Sequence, residues 1–311
     1  MAQPDISVVT ASYNTREITD KCLKYLGRAV EHAKREGYEV EVIVVDNGSK
    51  DGSAEMIAKK YPWVKLAVSK VNTGFSGGNN IGMKRSRGKY ILLLNLDAFV
   101  KKETLVECLE YMEGKGRCDV MGVRLLNKDG SLQATAGYLP TPVNTLQWLL
   151  GLDVVDEYPV VWRLAGKAIH PRNSGFFVRE REVGWIMGAF MFMKREVYEK
   201  TGGFDEKIFM YMEEVEWCKR MKDKGFSIRY VPRMTVTHLG QASSGFDLRK
   251  PLIREMEVLP YYLAKHYPEW VGVIKLAMKA GVGLRWLAFG ILGQKKRADI
   301  YREMLGAIWS K

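Results

Sequence analysis

The 311-residue chain reads as an α/β protein, with a largely parallel sheet covered by helices on both faces. Three observations predict this. Short apolar runs alternate with helical stretches through the first 125 residues, which is βαβα patterning. The strand runs are almost continuously apolar, as strands buried on both faces must be. The segments after four of these strands are polar and glycine-rich, and ligands of such sheets sit at the C-terminal strand ends.

In chain order, Ile6–Ala11 is a β-branched strand. Glu17–Lys34 is helical, with Ile18, Cys22, Leu26 and Ala29/Val30 on one face. Val40–Val45 is the second strand, and Gly52–Lys60 a helix with Ser53 as its expected N-cap. Lys65–Val68, Tyr90–Leu94 and Val120–Leu125 are the remaining strands, with helices Gly77–Arg85 and Lys102–Met112 between them. The uncharged stretch Gly130–Leu152 contains Pro140, Pro142, Asn144 and Gln147, so it reads as a loop and not a membrane span. Ala136–Glu182 mixes Arg163, Lys167, Arg172, Arg179 and Arg181 with Tyr158, Trp162, Phe176 and Phe177, and is expected to be a lid or an acceptor-binding loop. Trp270–Leu292 is helical, although its glycines weaken any single long helix.

Composition bounds the function. With 47% hydrophobic residues the chain can bury a full core, so a disordered protein is excluded. Cys22, Cys108, Cys118 and Cys218 form no CxxC pair, which excludes a disulfide scaffold and a cysteine zinc cluster and suits a reducing cytosol. Met1–Asp5 leads straight into the first strand, so no signal peptide is expected. The net charge is +12, and residues from Arg249 to Lys311 carry twelve Lys/Arg against five Asp/Glu. A basic tail points to an anionic surface. Nucleic acid is not expected, because the basic residues are not grouped on a reading helix.

The strand ends carry Ser12-Tyr13-Asn14, then Asp46 to Ser53, Asn72 to Asn80, and Asn95-Leu96-Asp97. They contain no GxGxxG and no GxxxxGK[ST], so neither a dinucleotide fold nor a Walker phosphate loop is supported. A carboxylate such as Asp97, placed just after a buried strand, can hold a divalent cation against a phosphate. Each segment taken alone also has a plain reading as a turn or helix cap.

Together these motifs resemble the inverting family-two glycosyltransferases of the GT-A fold. Ile6 to Asn14 and Val44 to Ser53 carry the resemblance, with Asn95-Leu96-Asp97 in the place of the family's DxD motif. Asn72-Thr73-Gly74-Phe75 with Gly77 to Gly82 fits the rhamnosyltransferase-like branch. Gly202 to Glu206 through Tyr211 to Cys218 resembles the catalytic segment, and Val236 to Gly240 the late histidine motif. The resemblance implies a GT-A catalytic domain with a Rossmann-like nucleotide-binding half over residues 1–248, and a helical basic C-terminal region over 249–311.

It further implies that Ala11, Tyr13 and Asp46 line a nucleotide pocket, with Asn79 and Asn80 near the diphosphate or sugar. Asn95 and Asp97 complete the donor side. Asp97 and His238 would hold Mn²⁺ or Mg²⁺. Asn95, where the family often has Asp, is a neutral and weaker ligand. Glu214 is the expected general base, with Trp185, Gly188 and Glu213 on the acceptor side and Trp185 able to stack on a sugar ring. Glu213, Glu214 and Glu216 repel one another, so at least one pKa should rise.

The implied reaction moves a hexose, from dTDP-rhamnose or a UDP-sugar, to a glycan or lipid-linked acceptor for a cell-surface polysaccharide. The site is expected on the cytoplasmic side, peripheral to the inner face of the membrane. Lys275, Lys279 and Arg285 fall within about 120° on the tail helix, and Lys295-Lys296-Arg297 follows, as an interfacial helix on an anionic leaflet needs. Packing on the catalytic domain or an oligomer contact is the alternative for that helix. The rival functions are a non-catalytic glycan- or lipid-binding protein on the same fold, and a nucleotidyltransferase. The latter should carry a basic Gly-rich loop near the N-terminus, which Ser12–Arg16 does not supply.

Overall fold

The computed structural model describes residues 3–114, 118–150, 168–171, 174–240 and 249–309. They fall into two compact units, Met1–Ala136 with Ser174–Phe246, and Gly137–Asn173 with Asp247–Lys311.

In the first unit β1 (Ile6–Ser12), β2 (Val40–Asp46), β3 (Val64–Val68), β4 (Tyr90–Leu94), β5 (Ala98–Phe99) and β6 (Val120–Leu126) follow one another, and β7 (Ala136–Gly137) marks the division. β8 (Arg181–Glu182), β9 (Trp185–Ile186), β10 (Phe190–Lys194) and β11 (Ile228–His238) come after it. The main sheet runs β3-β2-β1-β4-β10-β6-β11-β5, with β8 on β11. β3, β2, β1 and β4 are mutually parallel, as are β6 and β11. β10 lies between β4 and β6, antiparallel to both. Nothing in Phe190–Lys194 separates this strand from its apolar surroundings in the sequence, so the five-strand reading lacked it.

The helices are α1 (Arg16–Arg35), α2 (Ser53–Lys60), α3 (Gly74–Arg85) and α4 (Thr104–Glu113), then α5 (Pro142–Leu149) in the second unit, and α6 (Arg195–Thr201) and α7 (Glu213–Asp223) in the first. α1 buries Cys22, Leu23, Leu26, Ala29 and Ala33 in one cluster with Val8, Val42, Val44 and Leu92. α3 covers the other face, and Gly82 lets it sit directly on β1, since a Cβ there would strike Val9. Ser53 is not the cap of α2. That position belongs to Gly52 in the left-handed region, and the Ser53 hydroxyl instead donates to Asp51.

The second unit holds α5, α8 (Arg249–His266), α9 (Val271–Ile291) and α10 (Lys295–Trp309). The division differs from the expected boundary at 248, because residues near 140–170 bond to the tail helices. The Tyr262 hydroxyl donates to the Pro140 carbonyl at 3.0 Å, His170 meets Glu255 at 2.7 Å, and Arg285 bonds the Trp148 and Leu149 carbonyls. The stretch read as a loop contains α5, opened by a reciprocal Thr141/Asn144 cap with Pro142 in its first turn. α9 is one helix in spite of its glycines. Among the expected lid residues, Phe176 and Phe177 are buried, while Tyr158, Trp162, Arg163, Lys167 and Arg172 lie outside the described residues. All four cysteines are free and buried.

Candidate functional site

The parallel strands end together. Ser12 pairs with Asp46 at the close of β1 and β2. Asp46 is buried, and its Oδ1 accepts the Ser49 N–H at 3.0 Å. Its Oδ2 is also buried and accepts no hydrogen bond among the described residues. A buried carboxylate oxygen without a donor is costly, so this atom is suited to a ligand N–H. Ala11 lies at the same level, against Gly78 of α3, and Tyr13 is 43% exposed beyond it.

Asn79 and Asn80 are held by the protein itself. Asn79 is buried and donates to the Phe75 carbonyl one turn back at 2.9 Å. Asn80 accepts the Phe204 N–H and donates to the Phe204 carbonyl, both at 2.9 Å, and also donates to Glu206. It therefore brackets the turn ahead of α7. The residue that organises the loop before α3 is Asn47, which the sequence reading did not single out. It donates to the Gly74 carbonyl and accepts from both the Thr73 N–H and hydroxyl.

Asn95-Leu96-Asp97 leaves β4 in a turn. Asn95 is half-buried, its N–H donates to the Ala189 carbonyl, and its carbonyl accepts from Ala98. His238 ends β11 opposite Ala98, and Leu239 N–H bonds the Asp97 carbonyl. His238 Nε2 lies 3.2 Å from Asp97 Oδ1, both side chains largely buried. The proton on this imidazole follows from Gln133. The Gln133 amide nitrogen donates to the His238 carbonyl at 2.7 Å and to Asn127 Oδ1 at 2.6 Å. That fixes the amide, so its oxygen accepts from His238 Nδ1–H at 2.8 Å. Nε2, on the other side of the ring, makes no hydrogen bond among the described residues in spite of the nearby carboxylate. An imidazole and a carboxylate this close in a buried place are suited to be two ligands of a divalent cation, and among the described residues no third His, Cys, Asp or Glu joins them. Gln133 was missed because it stands in a stretch with no motif.

α7 begins after two consecutive non-glycine residues in the left-handed region, Tyr211 and Met212, each at φ +68°. Such residues cost on the order of 1–3 kcal/mol each and persist only where the surroundings impose them. The helix that follows them is tied to the turn after α6. Buried Glu216 pairs with Arg220 at 2.9 Å, and Arg220 bonds the Thr201 and Gly203 carbonyls. Trp217 donates to the Thr201 hydroxyl at 2.8 Å. Asp205 accepts from Lys207 N–H within the same turn.

This clamp sets Glu213 and Glu214 on the first turn of α7. Glu213 is 4% exposed, and its Oε2 has no hydrogen-bond partner among the described residues. Burial, and then the neighbouring Glu214 charge, push its pKa well above the usual carboxylate value. The helix N-terminus favours the anion, but desolvation outweighs it. Of the three acids, Glu216 pairs with Arg220, and the pKa of Glu213 is raised.

The Ile186–Phe190 segment ties these parts together. Met187 N–H bonds the Thr135 carbonyl, near Gln133, and the Ala189 carbonyl takes Asn95 N–H. Gly188, between them, abuts α7: a Cβ there would lie 3.3 Å from the Phe75 ring and 3.9 Å from Glu214 Cβ. Trp185, expected as a possible sugar platform, is 5% exposed and belongs to the core. Glu214, half-buried, thus adjoins the backbone that carries Asp97.

Comparisons with known proteins bear on the family and the fold. The family model for glycosyl transferase family 2 matches residues 7–202. The chain is 25% identical to the N-acetylglucosaminyl-diphospho-decaprenol L-rhamnosyltransferase of Mycobacterium tuberculosis over 90% of this chain and 91% of that one. It is also 25% identical to rhamnosyltransferase WbbL of Escherichia coli, over 75% of this chain and 83% of that one. Among solved structures, a mannosyltransferase from Pyrobaculum calidifontis in complex with GDP-Man and Mn²⁺ superposes with TM-score 0.57 at 14% identity, covering 100% of this chain and 87% of that chain. Staphylococcus aureus TarS in complex with UDP-GlcNAc gives TM-score 0.51 at 15% identity, with 98% and 92% covered. Sequence motifs, strand-end site and GT-A architecture therefore converge: the chain belongs to glycosyl transferase family 2, in its rhamnosyltransferase-like branch.

Proposed function

We propose that this glycosyltransferase moves a hexose with inversion from a nucleoside-diphosphate sugar, dTDP-rhamnose or a UDP-sugar, to a glycan or lipid-linked acceptor of a cell-surface polysaccharide. The observation that carries the reading is the buried Nε2 of His238, which makes no hydrogen bond among the described residues and lies 3.2 Å from Asp97 Oδ1. A divalent cation held by these two side chains would supply positive charge for the departing diphosphate. Asp46 Oδ2 would accept the base or ribose N–H/O–H of the nucleotide.

Glu214 acts as general base. Burial, and then the neighbouring Glu214 charge, raise the pKa of Glu213, so Glu213 favours its neutral form and does not compete for the role. Glu214 takes the acceptor hydroxyl proton as that oxygen attacks the anomeric carbon, and the nucleoside diphosphate leaves from the opposite face. Asn79 and Asn80 shape α3 and the turn before α7 through their own hydrogen bonds.

The membrane reading is supported by α9. Val273, Leu276, Leu284, Leu287 and Ile291 are exposed along it at helical spacing, and Ile291 is 86% exposed. Ile274, Met278 and Val282 on the opposite side are buried. Arg285 is bound to backbone carbonyls, so the Lys295-Lys296-Arg297 run after α9 supplies the charge for an anionic leaflet. Among the described residues no helix is long and apolar enough to cross a membrane.

The test is transfer from dTDP-rhamnose and UDP-sugars to a lipid-diphosphate acceptor, by wild type and Glu214→Gln. Transfer by wild type, lost in the variant while nucleotide binding remains, supports the reading. Transfer at wild-type rate by the variant removes Glu214 from the role, and binding without any transfer favours a non-catalytic protein.

A further inference from the structure

We infer that a cationic cavity in the first unit holds the phosphate headgroup of an anionic membrane lipid. The cavity measures about 440 Å³. Lys21, Arg28, Lys101, Lys102 and Lys128 line it, and no carboxylate does. All five are exposed. Lys102 alone of them has an ion pair among the described residues, with its neighbour Glu103 at 3.5 Å. Like charges converging on one concavity repel, and a cleft focuses their field on an anion.

Its floor is apolar and partly aromatic. Tyr25 of α1 and Phe99 of β5 have ring centroids 5.3 Å apart. Lys21 Nζ sits 4.7 Å from the Phe99 centroid, and the Arg28 guanidinium 5.7 Å from that of Tyr25. These contacts hold two cations over the floor before any ligand arrives. Val100 and Leu239 complete it. A free inorganic anion would gain nothing from this surface, whereas a lipid phosphate brings its glycerol and first methylenes to it.

The cavity is separate from the transfer site. Thr237 lines it, and His238 is the next residue of β11. Successive strand side chains leave on opposite faces, so the cavity lies across β11 from the Asp97–His238 pair. The proposal rests on the membrane-surface reading only in its choice of ligand, and it gives the catalytic unit a leaflet contact of its own, apart from α9.

Co-sedimentation of the full chain with vesicles of phosphatidylcholine, alone or mixed with phosphatidylglycerol, tests it. Lys21→Ala/Arg28→Ala/Lys101→Ala should lower partitioning onto the anionic vesicles roughly 100-fold, at about fivefold per basic residue. Lys21→Arg/Lys101→Arg should bind as wild type. Lys295→Ala/Lys296→Ala/Arg297→Ala should keep the part of the binding that the first variant loses. If the first variant binds as wild type, the cavity is not a lipid site and the α9 reading stands. If wild type sediments with neither vesicle, both readings fall. Thermal stabilisation of wild type by inorganic phosphate, absent from the first variant while both bind vesicles equally, would make the cavity a soluble-phosphate site and overturn the lipid assignment.

Discussion

Nε2 of His238 lies 3.2 Å from Oδ1 of Asp97 without a hydrogen bond between them, while the Gln133 amide holds the other ring nitrogen at 2.8 Å. Partners of this kind orient a ligating histidine and typically tune metal affinity by 10- to 100-fold. Gln133→Met should therefore weaken Mn²⁺ binding, measured by calorimetry in the presence of nucleoside diphosphate, by about 10- to 100-fold. Unchanged Mn²⁺ affinity would mean that the Gln133 bond is only structural.

Glu214→Gln should lower kcat by roughly 100- to 10,000-fold, the usual worth of a positioned general base, with donor affinity within about twofold of wild type. Rate and binding need to be measured on the same preparation, since Glu214 adjoins Gly188 and a distorted site would raise KM as well.

Glu213 has a pH signature of its own. Its folded-state pKa is raised, so between the unfolded value of 4.5 and the folded value the native chain keeps a proton that the unfolded chain has lost. Stability then falls as pH rises through that window, and the loss is complete above the folded pKa. Glu213→Gln should raise Tm at pH 7 relative to wild type and leave the two closer together below pH 4.5. A variant that is less stable at pH 7 would show that the charged form is accommodated.

The Glu216–Arg220 pair offers a contrast between fold and chemistry. Glu216 is fully buried, so Arg220→Met strands its charge and should cost about 3–5 kcal/mol. Denaturant unfolding would show it, and transfer measured well below the new midpoint should fall through displacement of α7, not through loss of a proton acceptor.

How much of this was legible in the sequence depends on the range of the interaction. β1 to β4 and their helices announce themselves through local periodicity, Asp97 through its place after a buried strand, and Asp46 and Glu214 through motifs that resemble the family's. Gln133 is 105 residues from His238, and no local pattern marks a side chain that bonds a distant ring. The positive φ of Tyr211 and Met212 is equally silent, because neither residue type favours it and tertiary contacts impose it. The roles expected of Asn79 and Asn80 came from motif position, yet their amides bond backbone that only the folded turn brings near. Trp185 had even claims to a sugar and to the core, and burial places it in the core.

Asp46 joins the nucleotide pocket through one atom, Oδ2, since Oδ1 is engaged by Ser49. Asp46→Ala should weaken nucleotide binding about 10- to 100-fold, the worth of a hydrogen bond to a charged group. Equilibrium titration would detect it, and a change below twofold would place the nucleotide elsewhere.

The most direct test of the central claim is calorimetric titration of the full chain with dTDP, UDP and GDP, each with Mn²⁺ and again with EDTA. Repeating the series with Asp97→Ala locates the ion. The account predicts that one nucleotide binds, that EDTA weakens it, and that in the variant Mn²⁺ no longer makes a difference. Equal binding with and without metal in wild type would contradict the Asp97–His238 site, and no binding of any nucleotide would contradict the donor pocket itself.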